Sequence, residues 1–325
     1  MVRRSHVLRS LLTLAVGGML SSTLLAADAW PSKPIRLVVP YPPGGSSDII
    51  ARSIGQLISQ ELKQTVVIDN KPGANGNLGA EFVARAPADG YTWLLCDLGA
   101  LAISPSIYTK LSFDPSKALR GAAMLAYSPH MLVVHPSVQA SNLKELVELS
   151  KKQDLNFAVT ASGSAPHLAG VELARMTGAK WVYVPYKGGV QSVQDTVAGQ
   201  TQVLMNGMLA TYPHVQSGKL KLLGISKNTR MPLIADVPTL AEQGAQGFAS
   251  GTWQGVVLPA QTPEAVVQRV HQVLLGAIRS PEVRARLIAQ GAEVITMTPT
   301  ETDKFFNAER ARWRTVVQTA KLQLD

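Results

Sequence analysis

Two short stretches hold the residues that could bind or transform a small molecule. The first runs from Tyr41 to Asp48 and the second from Thr160 to His167. In each, small residues follow an apolar segment typical of a strand and precede a segment with helical periodicity. Glycine lets the backbone approach a ligand closely, and the amide hydrogens of a first helical turn lack partners within the helix. With the helix dipole, these amides predict an anion-binding site.

The helix after the first loop is predicted from an apolar series spaced i, i+4, i+7 and i+8: Ile50, Ile54, Leu57, Ile58. Ser46, Ser47 and Asp48 are typical residues for its first turn. The second loop leads into a predicted helix from Pro166 to Thr177, with Gly178 at the end. Ser164 is either a hydroxyl donor to a ligand or an ordinary N-cap of this helix.

The two loops lack the motifs that other kinds of chemistry require. Neither loop contains the glycine pattern of a nucleotide-binding motif. Ala161 and Ala165 flank Ser162-Gly-Ser164, so the G-x-S-x-G pattern of serine hydrolases is absent. An exported hydrolase or isomerase using Ser164 and His167 stays an alternative without a third orienting group. The histidines are scattered without metal-ligand spacing, so the sequence predicts no metal and no cofactor.

Three ionisable residues near the loops each have two interpretations. Asp48 suits the helix dipole but competes with an anion for the same amides, so it either orients the loop or binds a bridging water. Asp97 follows a predicted strand and is either a solvent-facing loop residue, which its type favours, or the partner of a ligand ammonium group. His167 either packs at the helix start between lobes or contacts the ligand.

The N-terminus has the features of a secretory signal peptide. Arg3, Arg4 and Arg9 precede an apolar run from Leu11 to Met19, and an A-x-A cleavage pattern ends at Ala29. The run is too short to span a membrane. We therefore expect residues 1–29 to be removed, the mature chain to start near residue 30, and the protein to be periplasmic.

Charge and cysteine content narrow the function further. Loss of three arginines and one aspartate with the signal peptide lowers the formal net charge from +9 to +7. The basic residues are dispersed, which favours a solvated surface over nucleic-acid binding. Cys96, the only cysteine, lies in an apolar run and is interpreted as a buried structural thiol.

Strands and helices alternate from residue 30 onward, which predicts an α/β fold built on parallel sheets. Strands are expected at 35–39, 65–69, 91–96, 131–135, 155–160, 181–185, 202–205 and 220–225. After a short strand at 255–258 the chain is predicted to be mainly helical, at 263–278, 281–290 and 300–322. These helices should pack on the first unit or bridge both units, and we expect one lobe from 30–130 plus 253–325 and a second lobe from 131–252.

Several motifs in order along the chain resemble those of a known family. They are Pro40-Tyr-Pro-Pro-Gly-Gly-Ser-Ser-Asp48, Asn70-Lys-Pro-Gly-Ala-Asn-Gly76, Ala88-Asp-Gly-Tyr-Thr92, Gly163-Ser-Ala-Pro-His-Leu-Ala169, Val184-Pro-Tyr-Lys-Gly188 and Asp236-Val-Pro-Thr-Leu-Ala-Glu242. This pattern resembles the Bug (Bordetella uptake gene) extracytoplasmic solute receptors, the substrate-binding components of tripartite tricarboxylate transporters. The resemblance covers essentially the whole mature chain.

The resemblance implies a two-lobed periplasmic binding protein of type II-like architecture, each lobe a mainly parallel sheet flanked by helices. It also implies a non-enzymatic receptor that holds a small organic acid, a mono- or dicarboxylate or an amino acid, in the interlobe cleft. We expect the protein to be a monomer. A membrane permease would receive the solute from this receptor. Alternatively, a signalling partner would respond to solute binding. The candidate ligand-binding residues are Tyr41, Pro42, Gly44, Gly45, Ser47, Asp48, Asp97, Ala161, Ser162, Gly163, Ser164, His167, Tyr186 and Asn206.

Overall fold

The structure, a computed structural model, describes residues 30–320 and 323. The predicted signal peptide at residues 1–29 lies outside this described part. Within it, strands and helices alternate as the sequence predicts, and the α/β prediction is confirmed. No helix of the described residues is both long enough and apolar enough to cross a membrane.

The described residues form ten strands. They are β1 (Ile35–Val39), β2 (Val66–Asn70), β3 (Thr92–Cys96), β4 (Leu119–Val134), β5 (Asn156–Val159), β6 (Val182–Pro185), β7 (Val203–Gly207), β8 (Lys221–Ile225), β9 (Gly251–Pro259) and β10 (Glu293–Met297).

Eleven α-helices occur in the same described range. They are α1 (Ser46–Leu62), α2 (Asn77–Ala84), α3 (Ser104–Ile107), α4 (Pro115–Ala118), α5 (Leu143–Ser150), α6 (Ala165–Thr177), α7 (Gly189–Val197), α8 (Met208–Gln216), α9 (Glu264–Arg279), α10 (Pro281–Ala289) and α11 (Pro299–Ala320). Short 3-10 turns lie at Ala74–Gly76 and Pro232–Ile234, and a π-helical turn lies at Gly99–Ile103.

The strands join into one sheet in the order β2-β1-β3-β9-β4-β7-β5-β6, with β8 and β10 also paired to β4. Pairing is parallel among β1, β2 and β3 and among β5, β6 and β7. It is antiparallel at β4 and β9. The sheets are therefore mixed rather than mainly parallel, because the two central strands run in opposite directions.

The 16-residue strand β4 belongs to both halves of the sheet. Its segment Leu119–Pro129 pairs with β9, and its segment His130–Val134 pairs with β7. The sequence predicts only the last part of β4, from Met131. The preceding residues include Gly121 and Pro129 and show no clear alternation of apolar and polar residues. The predicted lobe limits at 130/131 and 252/253 stay a prediction, and both fall where β4 and β9 pass between the halves.

Helices cover both faces of each half. Ile50, Ile54 and Ile58 of α1 are completely buried against the first half together with α9. Burial of each such side chain stabilises the fold by about 1.5–3 kcal/mol. Phe306 and Trp313 of α11 pack on the opposite face, in a cluster that also contains Ala165 and Leu168 of α6, so α11 contacts both halves. Helix α8 was not predicted from the sequence, because Pro213 lies in its interior and proline is rare there.

The point where the chain passes between the halves contains a buried histidine. His130 of β4 is completely buried, and its Nδ1 and Nε2 atoms each lie 3.0 Å from a hydroxyl oxygen, of Ser250 and of Thr252 respectively. Burial lowers the pKa of His130 to about 3. The ring is therefore neutral at physiological pH and links β4 to the start of β9.

Helix α5 begins at Leu143, directly after a side-chain cap. Asn142 is the N-cap: its Oδ1 accepts the Glu145 N–H at 2.9 Å. The Glu145 carboxylate in turn accepts the Ser141 N–H at 2.7 Å. This pair of bonds resembles a capping box, except that Glu145 accepts the amide of the residue before the N-cap, and it gives partners to two backbone amides.

Replacement of this cap tests the assignment of the helix start. Asn142→Ala should lower the free energy of unfolding by about 1 kcal/mol, because the Glu145 amide loses its acceptor. Ser141→Ala is the matched control and should change stability little, since only the backbone of Ser141 takes part. Urea unfolding followed by circular dichroism measures both, and a larger loss for Ser141→Ala would contradict the assignment.

Candidate ligand-binding cleft

The first loop joins β1 to α1 and leaves the start of that helix uncapped. Gly44 has φ +86°, a left-handed conformation that favours glycine. Gly45 is the N-cap residue, and no side chain bonds to the helix start. The first intrahelical bond runs from the Ile49 N–H to the Gly45 carbonyl. The amides before Ile49 therefore have no partner within the helix and are free to bind an anion.

Asp48 shapes this loop from inside. Its Oδ2 accepts the Gly44 N–H and the Arg52 Nε–H, both at 2.8 Å, and its Oδ1 accepts the Asn70 Nδ2–H at 3.0 Å. The residue is only 2% exposed. Burial alone would raise the pKa of Asp48, but the bonds from Arg52, Gly44 and Asn70 hold it below its ordinary value. These bonds support the interpretation in which the Asp48 carboxylate orients the loop.

The second loop joins β5 to α6, and its polar groups are largely engaged within the loop. Ser164 caps α6, accepting the His167 N–H at 3.3 Å and the Ala161 N–H at 3.4 Å. The Gly163 N–H donates to Nδ1 of His167 at 3.0 Å. Gly163 has φ +75°. The start of α6 is thus already capped, unlike the start of α1.

The same contacts bear on the hydrolase alternative. Nucleophilic catalysis by serine requires its hydroxyl to donate to an imidazole nitrogen. Here Ser164 receives the backbone N–H of His167, and the Nδ1 atom of that ring receives the Gly163 N–H. The ring also packs edge-on against Tyr183, with centroids 5.0 Å apart. Burial lowers the pKa of His167 to about 4, so the ring is neutral and packed inside the loop.

A second uncapped helix start comes from α7. Its N-cap is Gly188, and no side chain bonds to the helix start. Gly189, the first residue of the helix, faces Asn206 at the end of β7: a Cβ there would meet Asn206 Nδ2 at 3.2 Å. The sequence predicts an anion-binding helix start in the second lobe at α6. That start is capped by Ser164, which lines the cleft together with Pro166, whereas the start of α7, after the Tyr186-Lys-Gly188 segment, has no side-chain cap.

Both helix starts reach one inner cavity of about 40 Å³. It is lined by Tyr41, Pro42, Gly45, Ser46, Ser47, Asp97, Thr160, Ser164, Pro166, Gly189, Asn206, Ala210 and Thr252. Seven of the predicted site residues are in this lining. A wider groove of about 500 Å³ shares Tyr41 with it and includes Ala161, Ser162 and Tyr186 from the predicted set. Gly44, Asp48, Gly163 and His167 line neither space and instead shape the loops.

Asp97 borders the inner cavity. Its Oδ1 accepts the Tyr41 O–H and the Gly99 N–H, both at 2.7 Å. Burial raises the pKa of Asp97, and the bonds from Tyr41 and Gly99 oppose this rise. The favoured interpretation of a solvent-facing loop aspartate is therefore wrong, because the π-helical turn after β3 folds the residue into the cleft.

Asn206 presents an unused donor at the cavity wall. Its Oδ1 accepts the Thr160 hydroxyl at 3.3 Å, whereas its Nδ2 is buried and has no hydrogen-bond partner among the described residues. The residue is 6% exposed. A buried amide donor without a partner is costly, and a ligand acceptor in the cavity would remove that cost.

The two loops also meet across the cleft. Asn75 Nδ2 donates to the Gly163 carbonyl at 2.9 Å, which joins the 3-10 turn before α2 to the second loop. Gly188 lies so close to Pro42 that an added Cβ would be 2.6 Å from the ring. Neither Asn75 nor Thr252 is among the site residues predicted from the sequence. The motif containing Asn75 was a usable signal, but nothing local marks Thr252.

Comparison with known proteins identifies the class to which this fold and cleft belong. The structure superposes on the periplasmic binding protein BugD with a TM-score of 0.86 and 30% identity, over 90% of this chain and 99% of BugD. A Rhodopseudomonas palustris protein with adipate gives a TM-score of 0.87 and 30% identity, again over 90% of this chain and 99% of the other. The fold is that of a two-lobed periplasmic solute-binding protein.

Sequence comparison adds the family. Residues 50–322 match the tripartite tricarboxylate transporter family receptor, TctC. The Bordetella pertussis protein BugT is 33% identical over 319 residues, which cover 96% of this chain and 98% of BugT. The chain belongs to the TctC family of transporter receptors, and the predicted resemblance to the Bug receptors is confirmed.

The role of Asp48 as the loop anchor leads to a stability prediction. Asp48→Asn should lower the free energy of unfolding at pH 7 by about 1.5–3 kcal/mol, because bonds to a charged acceptor are lost. The folded-state pKa is depressed, so this contribution is present above about pH 4 and is lost as the pH falls through the folded pKa. The difference between wild type and variant should therefore shrink in acid.

Urea unfolding at pH 7 and at pH 3 measures the effect of Asp48→Asn. Asp154→Asn provides the control, since Asp154 is an exposed aspartate. An equal difference between wild type and Asp48→Asn at the two pH values would show that the Asp48 charge does not hold the loop.

Proposed function

We propose that this protein is a non-enzymatic periplasmic receptor that captures a small organic acid in its interlobe cleft for uptake by a tripartite tricarboxylate transporter. The observation that carries the proposal is the meeting of two uncapped helix starts, those of α1 and α7, at one inner cavity. Helix starts bind anions through free amides and through the positive end of the dipole. The adipate on the structurally similar R. palustris protein supports a carboxylate ligand here.

The donors around the cavity match the requirements of a carboxylate. Ser46 and Ser47 offer amides and hydroxyls from one side, and Gly189 and Asn206 offer donors from the other. A hydrogen bond to a charged group contributes about 1.5–3 kcal/mol, and exclusion of water strengthens it. Donors from both lobes on one anion would therefore favour the closed arrangement of the cleft.

Binding without turnover is the proposed outcome of capture. The Ser164 and His167 contacts support this, because they serve the fold of the second loop and leave no general base beside a nucleophile. A solute sensor that signals to a partner protein remains the second candidate, since it would need the same cleft. The proposal includes removal of residues 1–29 during export, a monomeric receptor and delivery to a membrane permease.

Native mass spectrometry of protein purified from its own host tests the proposal directly. A carboxylate of unchanged mass, released on denaturation, is the expected result. Titration with mono- and dicarboxylates should then raise the melting temperature, by an amount equivalent to about 2.7 kcal/mol at a hundredfold excess over Kd. Conversion of an added carboxylate into a product would refute the non-enzymatic assignment.

One substitution tests the cavity itself. Asn206→Asp keeps the acceptor for Thr160 but replaces the buried Nδ2 donor by a carboxylate oxygen that repels an anion. We expect affinity for the carboxylate to fall by at least about tenfold, which corresponds to about 1.4 kcal/mol. Isothermal titration calorimetry measures the change.

Asn228→Asp is the matched control, because it adds the same charge at an exposed position away from the cavity. It should leave affinity within about twofold of wild type, a difference of about 0.4 kcal/mol. A folded Asn206→Asp variant with wild-type affinity would rule out this cavity as the carboxylate site.

A further inference from the structure

The inner cavity contains one charged side chain and no cation. Among its lining residues, Asp97 is the only member of the Asp, Glu, Lys, Arg and His types. Its two hydrogen bonds come from neutral donors, the Tyr41 hydroxyl and the Gly99 amide, and both reach the same oxygen, Oδ1. No ion pair to Asp97 occurs among residues 30–320. The charge of this carboxylate is thus left without a counter-ion.

Other aspartates of the same lobe have a positively charged partner. Asp48 pairs with Arg52 at 2.8 Å, and Asp69 lies 3.4 Å from Lys71 and 3.8 Å from Arg36. A charge removed from water without a partner is costly, and folds normally supply an opposite charge. Asp97 is partly buried and has no positively charged partner among the described residues. The missing positive group would come from the solute.

The remaining wall of the cavity is rich in donors. The uncapped starts of α1 and α7 present backbone amides, and Asn206 presents its unpartnered Nδ2. Ser164 accepts two backbone N–H groups, which leaves its own hydroxyl hydrogen available to donate. The cavity therefore has a carboxylate on one side and anion-binding groups on the other.

We infer that the solute is amphoteric: it carries a protonated amine beside its carboxylate, as an α-amino acid does. The ammonium group binds Asp97 and the carboxylate binds the helix starts of α1 and α7. The inference rests on the proposed carboxylate-binding function and narrows it. The amine and carboxylate face the lining of the inner cavity, and the groove of about 500 Å³, which shares Tyr41 with that cavity, receives the rest of the solute.

A protonated Asp97 that donates to a ligand carboxylate is the competing arrangement, and matched solutes distinguish the two. The pairs are aspartate with succinate, glutamate with glutarate, and norleucine with hexanoate, which differ only by the amine. Calorimetry on the wild-type protein should show at least one amine-bearing member binding tenfold or more tightly than its amine-free partner. Tighter binding of the amine-free members would overturn the inference while supporting carboxylate capture.

Asp97→Asn provides the second arm of the test. The amide oxygen can still accept from Tyr41 and Gly99, so the loop should keep its fold, which the melting temperature checks. Affinity for the amine-bearing member should fall at least tenfold, and affinity for the amine-free member should change less than threefold. Asp154→Asn, at an exposed site, should change neither. Equal losses for both members of a pair would overturn the inference.

Identification of the solute bound to protein purified from its own host tests the inference independently of the chosen solute pairs. Accurate mass, fragmentation and comparison with authentic standards show whether the released molecule contains a basic nitrogen beside a carboxylate. Its presence supports the inference and its absence overturns it, whichever of the test pairs bind. A released solute without any acidic group would instead contradict the proposed function.

Discussion

The cleft depends on backbone amides that the helices themselves cannot satisfy. Every α-helix begins with such amides, and most are capped by a side chain or exposed to water. In this protein α6 is capped by Ser164, whereas α1 and α7 start after glycine and have no side-chain cap. The inner cavity lies where the two uncapped starts meet. In the proposed function, a solute anion completes hydrogen bonding that the fold leaves incomplete, and the lining of the inner cavity contains no arginine or lysine.

The polar residues of the two loops divide into those that face the cavity and those that build the loops. Asp48, Gly163 and His167 belong to the second group, because each is engaged by its own loop. Such internal bonds fix the loop shape before a solute arrives, which reduces the entropy lost on binding. Asp97 stands apart from both groups, since its bonds to Tyr41 and Gly99 leave its charge unbalanced.

The sequence predicted features that depend on neighbouring residues. The run from β1 through the glycine loop to α1 was readable because apolar spacing, glycine and first-turn residues agree locally. The cavity contact of Thr252 was not readable, because β9 reaches the cleft only through pairing with β4. The difference between the two helix starts of the second lobe was not readable for a related reason. Both α6 and α7 begin after small residues, and only the tertiary structure shows that Ser164 caps α6 and that α7 has no side-chain cap.

The strand β4 has a consequence for how this protein can vary. Its 16 residues align with β9 in one half of the sheet and with β7 in the other. Side chains alternate between faces along a strand, so insertion or deletion of one residue near His130 would turn every following side chain to the opposite face. Loops elsewhere tolerate length changes. Homologous chains should therefore differ in loop length around the cleft while keeping constant the number of residues in this strand.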